Sequence, residues 1–127
     1  MIISIIGSMK FHKEYENLKK QLEKNNHQVI IPLPSEFYNK EKNVKLKAMQ
    51  DFNNSLAKSD AILVANYEKH GQKNYIGFNS IMEIGMAFNR NKKIFILFDI
   101  PDNCKDELVA IGCSVLNGEI NKIWKKQ

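Results

Sequence analysis

Hydrophobic and polar positions fall in blocks along this chain, and the blocks alternate in kind. Met1–Ile6 is an apolar run ended by Gly7-Ser8. Residues 13–25 then carry Tyr15, Leu18 and Leu22 at helical spacing and close on Asn25-Asn26, which predicts an amphipathic helix. Gln28–Leu33 is a β-branched run stopped by Pro32 and Pro34, and a polar stretch, Ser35–Asn43, follows with Phe37 and Tyr38 inside it. Residues 44–58 place Leu46, Met49, Phe52 and Leu56 on one helical face, and Ala61–Ala65 is again a short apolar run. The loop Asn66–Phe78 leads into a helix with Ile81, Ile84 and Phe88 on one side, closed by Lys92-Lys93. Ile94–Phe98 reads as the next strand. A short helix near Lys105–Ile111, a weak strand near Ser114–Leu116 and a last helix through Ile120 and Trp124 complete the pattern.

Strands that are apolar throughout, separated by amphipathic helices, are parallel strands covered on both faces. Right-handed crossovers then predict an α/β three-layer sandwich, a Rossmann/flavodoxin-like doubly wound parallel sheet of about five strands. With no repeat or linker in its 127 residues, the chain reads as a single domain over 1–127. In this architecture ligands bind outside the carboxyl ends of the strands, near the topological switch point. That zone gathers Gly7–Lys10, Pro34–Tyr38, Asn66 onward and Asp99–Pro101.

Composition narrows the function classes. A chain 43% hydrophobic and 26% charged is an ordinary globule and argues against disorder. Apolar runs such as Ile94–Phe98 are far short of the roughly 20 residues of a membrane helix, so no membrane association is expected. Met1–Ile6 ends at Gly7 without a basic leader or cleavage site, so no secretory leader is expected either. Cys104 and Cys113 match no zinc spacing and read as reduced thiols of a cytoplasmic protein; neither a metal nor a cofactor is expected. The net charge of +5 suits an anionic partner. The basic residues are nearly all scattered lysines, however, with Arg90 the one arginine, which argues against nucleic acid.

Three features carry candidate chemistry. Gly7-Ser8-Met9-Lys10 leaves the first strand ahead of a helix; its amides, hydroxyl and Lys10 suit an anion, and a plain strand-to-helix turn explains it equally well. Gly77-Phe78-Asn79-Ser80-Ile81-Met82-Glu83 opens the third helix. Ser80 and Glu83 form the S-x-x-E of a capping box, a complete structural explanation. The functional alternative points Glu83 into the crevice as a nucleophile or base. Asp60, at the entrance to the third strand, is either structural or the second member of the carboxylate pair that glycosidic cleavage requires. Phe37 and Tyr38 suit stacking on a planar base or anchoring their loop. The histidines His12, His27 and His70 share no motif.

Taken together, Ile3–Met9, Ser59–Asn66 and Asn74–Ala87, the last containing Glu83-Ile84-Gly85-Met86-Ala87, resemble the nucleoside 2-deoxyribosyltransferase family. The similarity runs from residue 2 to about residue 100, in the family's order. It implies a glutamate nucleophile at Glu83, an aspartate at Asp60 that positions and protonates the departing base, and substrate contacts from Gly7, Ser8, Met9, Lys10, Gly77, Asn79 and Ser80. The Gly7–Lys10 turn looks closer to the deoxynucleoside 5′-monophosphate N-hydrolase branch. Ser4 stands where many transferases carry a tyrosine, Gly77 where they carry a second acid, and Glu107 where a neighbouring subunit lends a polar residue. The resemblance implies a small-molecule nucleoside or nucleotide as partner and a homodimer or larger homo-oligomer. Two alternatives stay open: a non-catalytic nucleotide-derivative sensor on the same scaffold, and a relative that cleaves NAD or nucleotide sugars.

Overall fold

The structure, a computed structural model, describes residues 1–34 and 43–123. Five strands form one sheet: β1 (Ile2–Ile6), β2 (Gln28–Ile30), β3 (Ala61–Val64), β4 (Lys93–Ile96) and β5 (Ser114–Val115). Every pairing is parallel, in the order β2-β1-β3-β4-β5. Four α-helices cover the sheet: α1 (His12–Lys24), α2 (Val44–Lys58), α3 (Phe78–Asn89) and α4 (Lys105–Ala110). This is the doubly wound three-layer sandwich that the alternating blocks predict, in the flavodoxin-like strand order, whose switch point lies between β1 and β3.

Strand period two divides the core. Ile3, Ile5, Ala61, Leu63 and Phe95 point to the face packed by Tyr15, Leu18 and Leu22 of α1. Ile6, Ile62, Val64, Ile94 and Ile96 point to the other, packed by Phe52 and Leu56 of α2, Ile84 and Ala87 of α3 and Leu108 of α4. The central strand β3 is covered on both sides, with no residue more than 1% exposed. Truncating a side chain buried this deeply, such as Leu56 at 0% exposure, costs about 2–5 kcal/mol.

Several boundaries shift for identifiable reasons. β2 ends at Ile30 because Pro32 and Pro34 have no N–H to donate to a ladder. Instead of a last helix, Ile120–Lys122 makes a single 3₁₀ turn and Ile123 returns to extended backbone. Trp124 lies outside the described residues, as do Phe37 and Tyr38. Among the described residues no helix is long and apolar enough to cross a membrane.

Ser4 is the one polar residue within β1, and its hydroxyl is buried at 2.6 Å from Ser59 Oγ. Ser59 commits its own proton to the Ser55 carbonyl at 2.8 Å, so Ser4 is the donor. Ser55 in turn donates to the Asp51 carbonyl. A buried chain of hydroxyls therefore ties the sheet to the last two turns of α2, and every member has a partner.

Candidate functional site

The carboxyl ends of β1 and β3 open into a cleft of about 730 Å³ bounded by α2, α3 and the loop after β3. That volume is in the range of small-molecule sites. Gly7, Ser8, Met9, Gly77, Asn79, Ser80 and Glu83 all line it, so seven of the residues singled out in the sequence come together.

The turn after β1 is held from below. Gly7 has φ +155°, and a Cβ there would stand 2.4 Å from Tyr15 Oη and 3.0 Å from the Ala65 carbonyl. Only glycine fits. Tyr15 is fully buried in α1 and donates its hydroxyl to the Ser8 carbonyl at 2.5 Å. Its pKa is raised, first by burial and then by the charges of Tyr67, Glu14 and Glu83, so it stays a protonated donor. Ser8 caps the 3₁₀ turn Met9–Phe11, its Oγ accepting Lys10 N–H at 3.3 Å.

The cation at this turn is not the expected one. Lys10 is exposed and lies 6.0 Å from the Phe11 ring centroid, outside the cleft lining. Lys69 takes the position instead, donating from Nζ to Ser8 Oγ at 2.8 Å. It arrives there through a tight turn. Lys69 and Gln72 exchange both backbone hydrogen bonds, and His70 and Gly71 between them have φ of +54° and +70°. Positive φ at both central residues is the two-residue hairpin geometry that suits the strand twist. Tyr75 completes the loop, with its ring 5.8 Å from Lys69 Nζ.

The loop's base is fixed by Asn66, which is 1% exposed and fully partnered. Its amide donates to the Asp99 carbonyl at 2.8 Å and accepts Phe98 N–H at 2.9 Å, joining the exits of β3 and β4. Tyr67, next in the chain, packs against Phe11 and Phe98 with ring centroids at 5.3 and 5.6 Å. Phe11, Tyr67 and Tyr75 thus give the cleft aromatic lining.

The capping box does not form. Gly77 is the N-cap of α3, its carbonyl accepting Ile81 N–H at 3.0 Å, and no side chain caps the helix. Ser80 is already inside the first turn and 7% exposed, which puts Glu83 in the second turn, beyond reach of the cap. The structural explanation for Glu83 thereby falls. Among the described residues its carboxyl has no hydrogen-bond or ion-pair partner, and burial pushes its pKa up to about 7.

Asp60 does not join Glu83. It precedes β3 and so sits at the amino end of the sheet, exposed, with Oδ2 accepting Ile2 N–H at 2.8 Å. Its role is to satisfy the first amide of β1, at the end of the sheet opposite the cleft. The second carboxylate of the described cleft lining is Asp51 on α2. Arg90 of the α3 C-terminus bonds Asn53, so Asn53 marks the flank of α2 that faces α3. Asp51, two residues earlier, lies about 200° around the helix, on a different flank. In keeping with this, burial alone raises Glu83, with no contribution from a like charge.

Glu107 is exposed on α4. Cys104 and Cys113 are free thiols outside the cleft, and burial raises the pKa of both, that of Cys113 to about 11. Among the described residues no group of three or more His, Cys, Asp or Glu side chains is arranged to hold a metal ion. No protein-family model matches the chain, and no curated protein matches it in sequence.

Proposed function

We propose that this protein cleaves or exchanges the N-glycosidic bond of a (deoxy)nucleoside or its 5′-monophosphate through a covalent glycosyl-glutamate intermediate. The observation that carries the reading is Glu83: a desolvated carboxyl with neither cap nor partner, facing a cleft at the switch point. The sequence resemblance to the nucleoside 2-deoxyribosyltransferases supports it.

In the first step a Glu83 carboxylate oxygen bonds to the anomeric carbon as the C–N bond breaks and its electron pair leaves with the base. Asp51, the other described carboxylate of the cleft, takes over the role expected of Asp60 and relays a proton from solvent to the departing base. Water, or a second base, then attacks the anomeric carbon and surrenders its proton to Asp51. The ester C–O bond breaks and Glu83 returns as carboxylate. Phe11, Tyr67 and Tyr75 offer π faces to a planar base. Lys69 and the Ser8 hydroxyl offer charge and a hydrogen bond to a 5′-phosphate. The resemblance also implies a homodimer or larger assembly, which would cover the exposed apolar side chains Phe78, Met82 and Phe88 of α3.

A second reading, a nucleotide-derivative binding module without turnover, is favoured by one observation: Asp60, the acid that the resemblance pairs with Glu83, stands at the opposite end of the sheet, bonded to Ile2 N–H. Base release separates the two. Wild type, Glu83→Gln and Asp51→Asn are incubated with the four deoxynucleosides and their 5′-monophosphates, with and without a second free base, and free base is measured by chromatography. Release by wild type that disappears in Glu83→Gln supports the enzyme. Folded wild type that binds nucleotide and releases no base rejects it in favour of the module.

A further inference from the structure

We infer that Arg90 is a positioning residue for Glu83: by tying the α3 C-terminus to Asn53 it holds the Glu83 flank of α3 closed against α2. The inference rests on the reading of Glu83 as the reacting carboxylate. Glu83, Ala87 and Arg90 are spaced i, i+4, i+7, which places them on one flank of the helix. Ala87 in the middle is fully buried. At the lower end Arg90 Nη2 donates to Asn53 Oδ1 at 2.7 Å, and Nη1 reaches the Asn53 carbonyl at 3.5 Å. The flank bearing Glu83 is therefore the one that faces α2.

Arg90 is the chain's only arginine among 19 basic residues, and it stands where a two-pronged donor is used. Its planar fork spans the side-chain and main-chain oxygens of one residue, which a lysine ammonium on a flexible stem does not reproduce. The same residue ends α3, its backbone N–H bonding Met86 and Ala87 carbonyls. The side chain thus fixes the rotation and seating of the helix end, and through two turns of rigid helix it fixes Glu83. The charged and titratable groups around the cleft near Glu83 are Lys45 and Asp51 of α2, Lys69 and Tyr75 of the β3–α3 loop, Tyr67, and Tyr15 beneath the turn. Arg90 itself bonds Asn53, and Glu83 has no hydrogen-bond or ion-pair partner among the described residues to lose, so loosening the clamp acts on the solvation of Glu83.

The test reads Glu83 directly. The side-chain carboxyl carbon is followed by NMR from pH 4 to 9 in wild type, Arg90→Ala, Arg90→Lys and Asn53→Ala, with Glu83→Gln assigning the signal. Arg90→Ala and Asn53→Ala are each expected to lower the Glu83 midpoint by roughly one pH unit as water enters, and the double variant by no more than either alone. Arg90→Lys is expected to behave like Arg90→Ala. With a substrate in hand, kcat should fall about 10- to 100-fold while KM changes little. A Glu83 titration that is unchanged in Arg90→Ala and Asn53→Ala overturns the inference, whatever happens to thermal stability. Should Arg90→Ala fail to fold, Asn53→Ala and Arg90→Lys still decide. Absence of base release from wild type would reject the enzymatic reading and leave the titration result standing.

Discussion

Replacing Gly7 with alanine tests the account of the cleft floor. Two terms oppose the substitution. The residue has φ +155°, a conformation that L side chains rarely adopt, and holding one there costs about 1–3 kcal/mol. The added methyl also meets Tyr15 Oη at 2.4 Å and the Ala65 carbonyl at 3.0 Å. A hydroxyl at the end of a side chain would ordinarily move aside, but Tyr15 is fully buried between α1 and the sheet, and the carbonyl is main chain. Overpacking of this kind costs roughly 1–3 kcal/mol. Against both stands the lower entropy of an unfolded chain with alanine, about 0.4–1 kcal/mol in favour of the variant. The net expectation is a loss of about 2–4 kcal/mol, read from urea unfolding followed by far-ultraviolet circular dichroism.

The mechanism is separable from a generic backbone effect by adding Tyr15→Phe. Alone, that change removes the hydrogen bond to the Ser8 carbonyl and should cost about 1 kcal/mol. In the double variant the methyl faces the ring carbon Cζ at 3.3 Å instead of the hydroxyl at 2.4 Å. The two losses should therefore fall short of additivity by about 1–2 kcal/mol, with backbone strain and the Ala65 contact remaining. Strict additivity, or a Gly7→Ala protein within 0.5 kcal/mol of wild type, would refute the packing argument.

Three further expectations follow from the same geometry. Glu83 has its pKa raised from the ordinary 4.5 to about 7, so the folded state holds the proton more tightly than the unfolded one. The associated stability is present below pH 4.5 and is lost as pH rises through 7, on the order of 3 kcal/mol in full. Glu83→Gln should accordingly match wild type near pH 4.5 and exceed it in unfolding free energy at pH 8.5; equal stability at both pH values contradicts the burial argument. If Glu83 reacts as a carboxylate, base release should rise with pH through about 7, and a rate falling through that point would assign it the acid's role instead. Ser59→Ala should destabilise more than Ser4→Ala, by about 1 kcal/mol in chemical denaturation. The first strands a buried hydroxyl donor, whereas the second leaves Ser59 still bonded to Ser55.

The layers were legible because strand and helix differ in period, although Leu46 and Phe88, which the spacing puts on the apolar faces of α2 and α3, are exposed. Tyr15, Leu18 and Leu22 are the buried residues of α1, as their spacing requires. What one sequence leaves open is where a helix begins and which way its flanks look. Ser80-x-x-Glu83 has the spacing of a capping box, yet the helix starts three residues earlier because the Gly77 carbonyl takes the first bond and Ser80 is drawn into the core. Asp60 was separable in principle: a residue that precedes a parallel strand lies at its amino end, and ligands bind at the other. Lys69 needed the His70-Gly71 hairpin to fold it back on Ser8, and Asp51 needed the docking of α2, neither of which spacing encodes.

The energetic position of Glu83 bears on which reading of the site is stronger. A capping glutamate stabilises its helix, and a paired one has its carboxyl held near or below the ordinary range. Glu83 does neither; its ionised form opposes folding because burial removes water and no donor replaces it. A module that only binds a nucleotide can use a carboxylate to accept from a sugar hydroxyl or a base N–H, but it gains nothing from leaving that carboxylate without water or a donor before the ligand arrives. A carboxylate stripped of water beside an electron-deficient carbon is a stronger nucleophile and a better stabiliser of the positive charge that grows as a glycosidic bond breaks. The feature that counts against Glu83 as a structural residue is the one that counts for it as a reacting one. The difference between wild type and Glu83→Gln in stability at pH 8.5 therefore measures how far the site departs from what folding alone would choose.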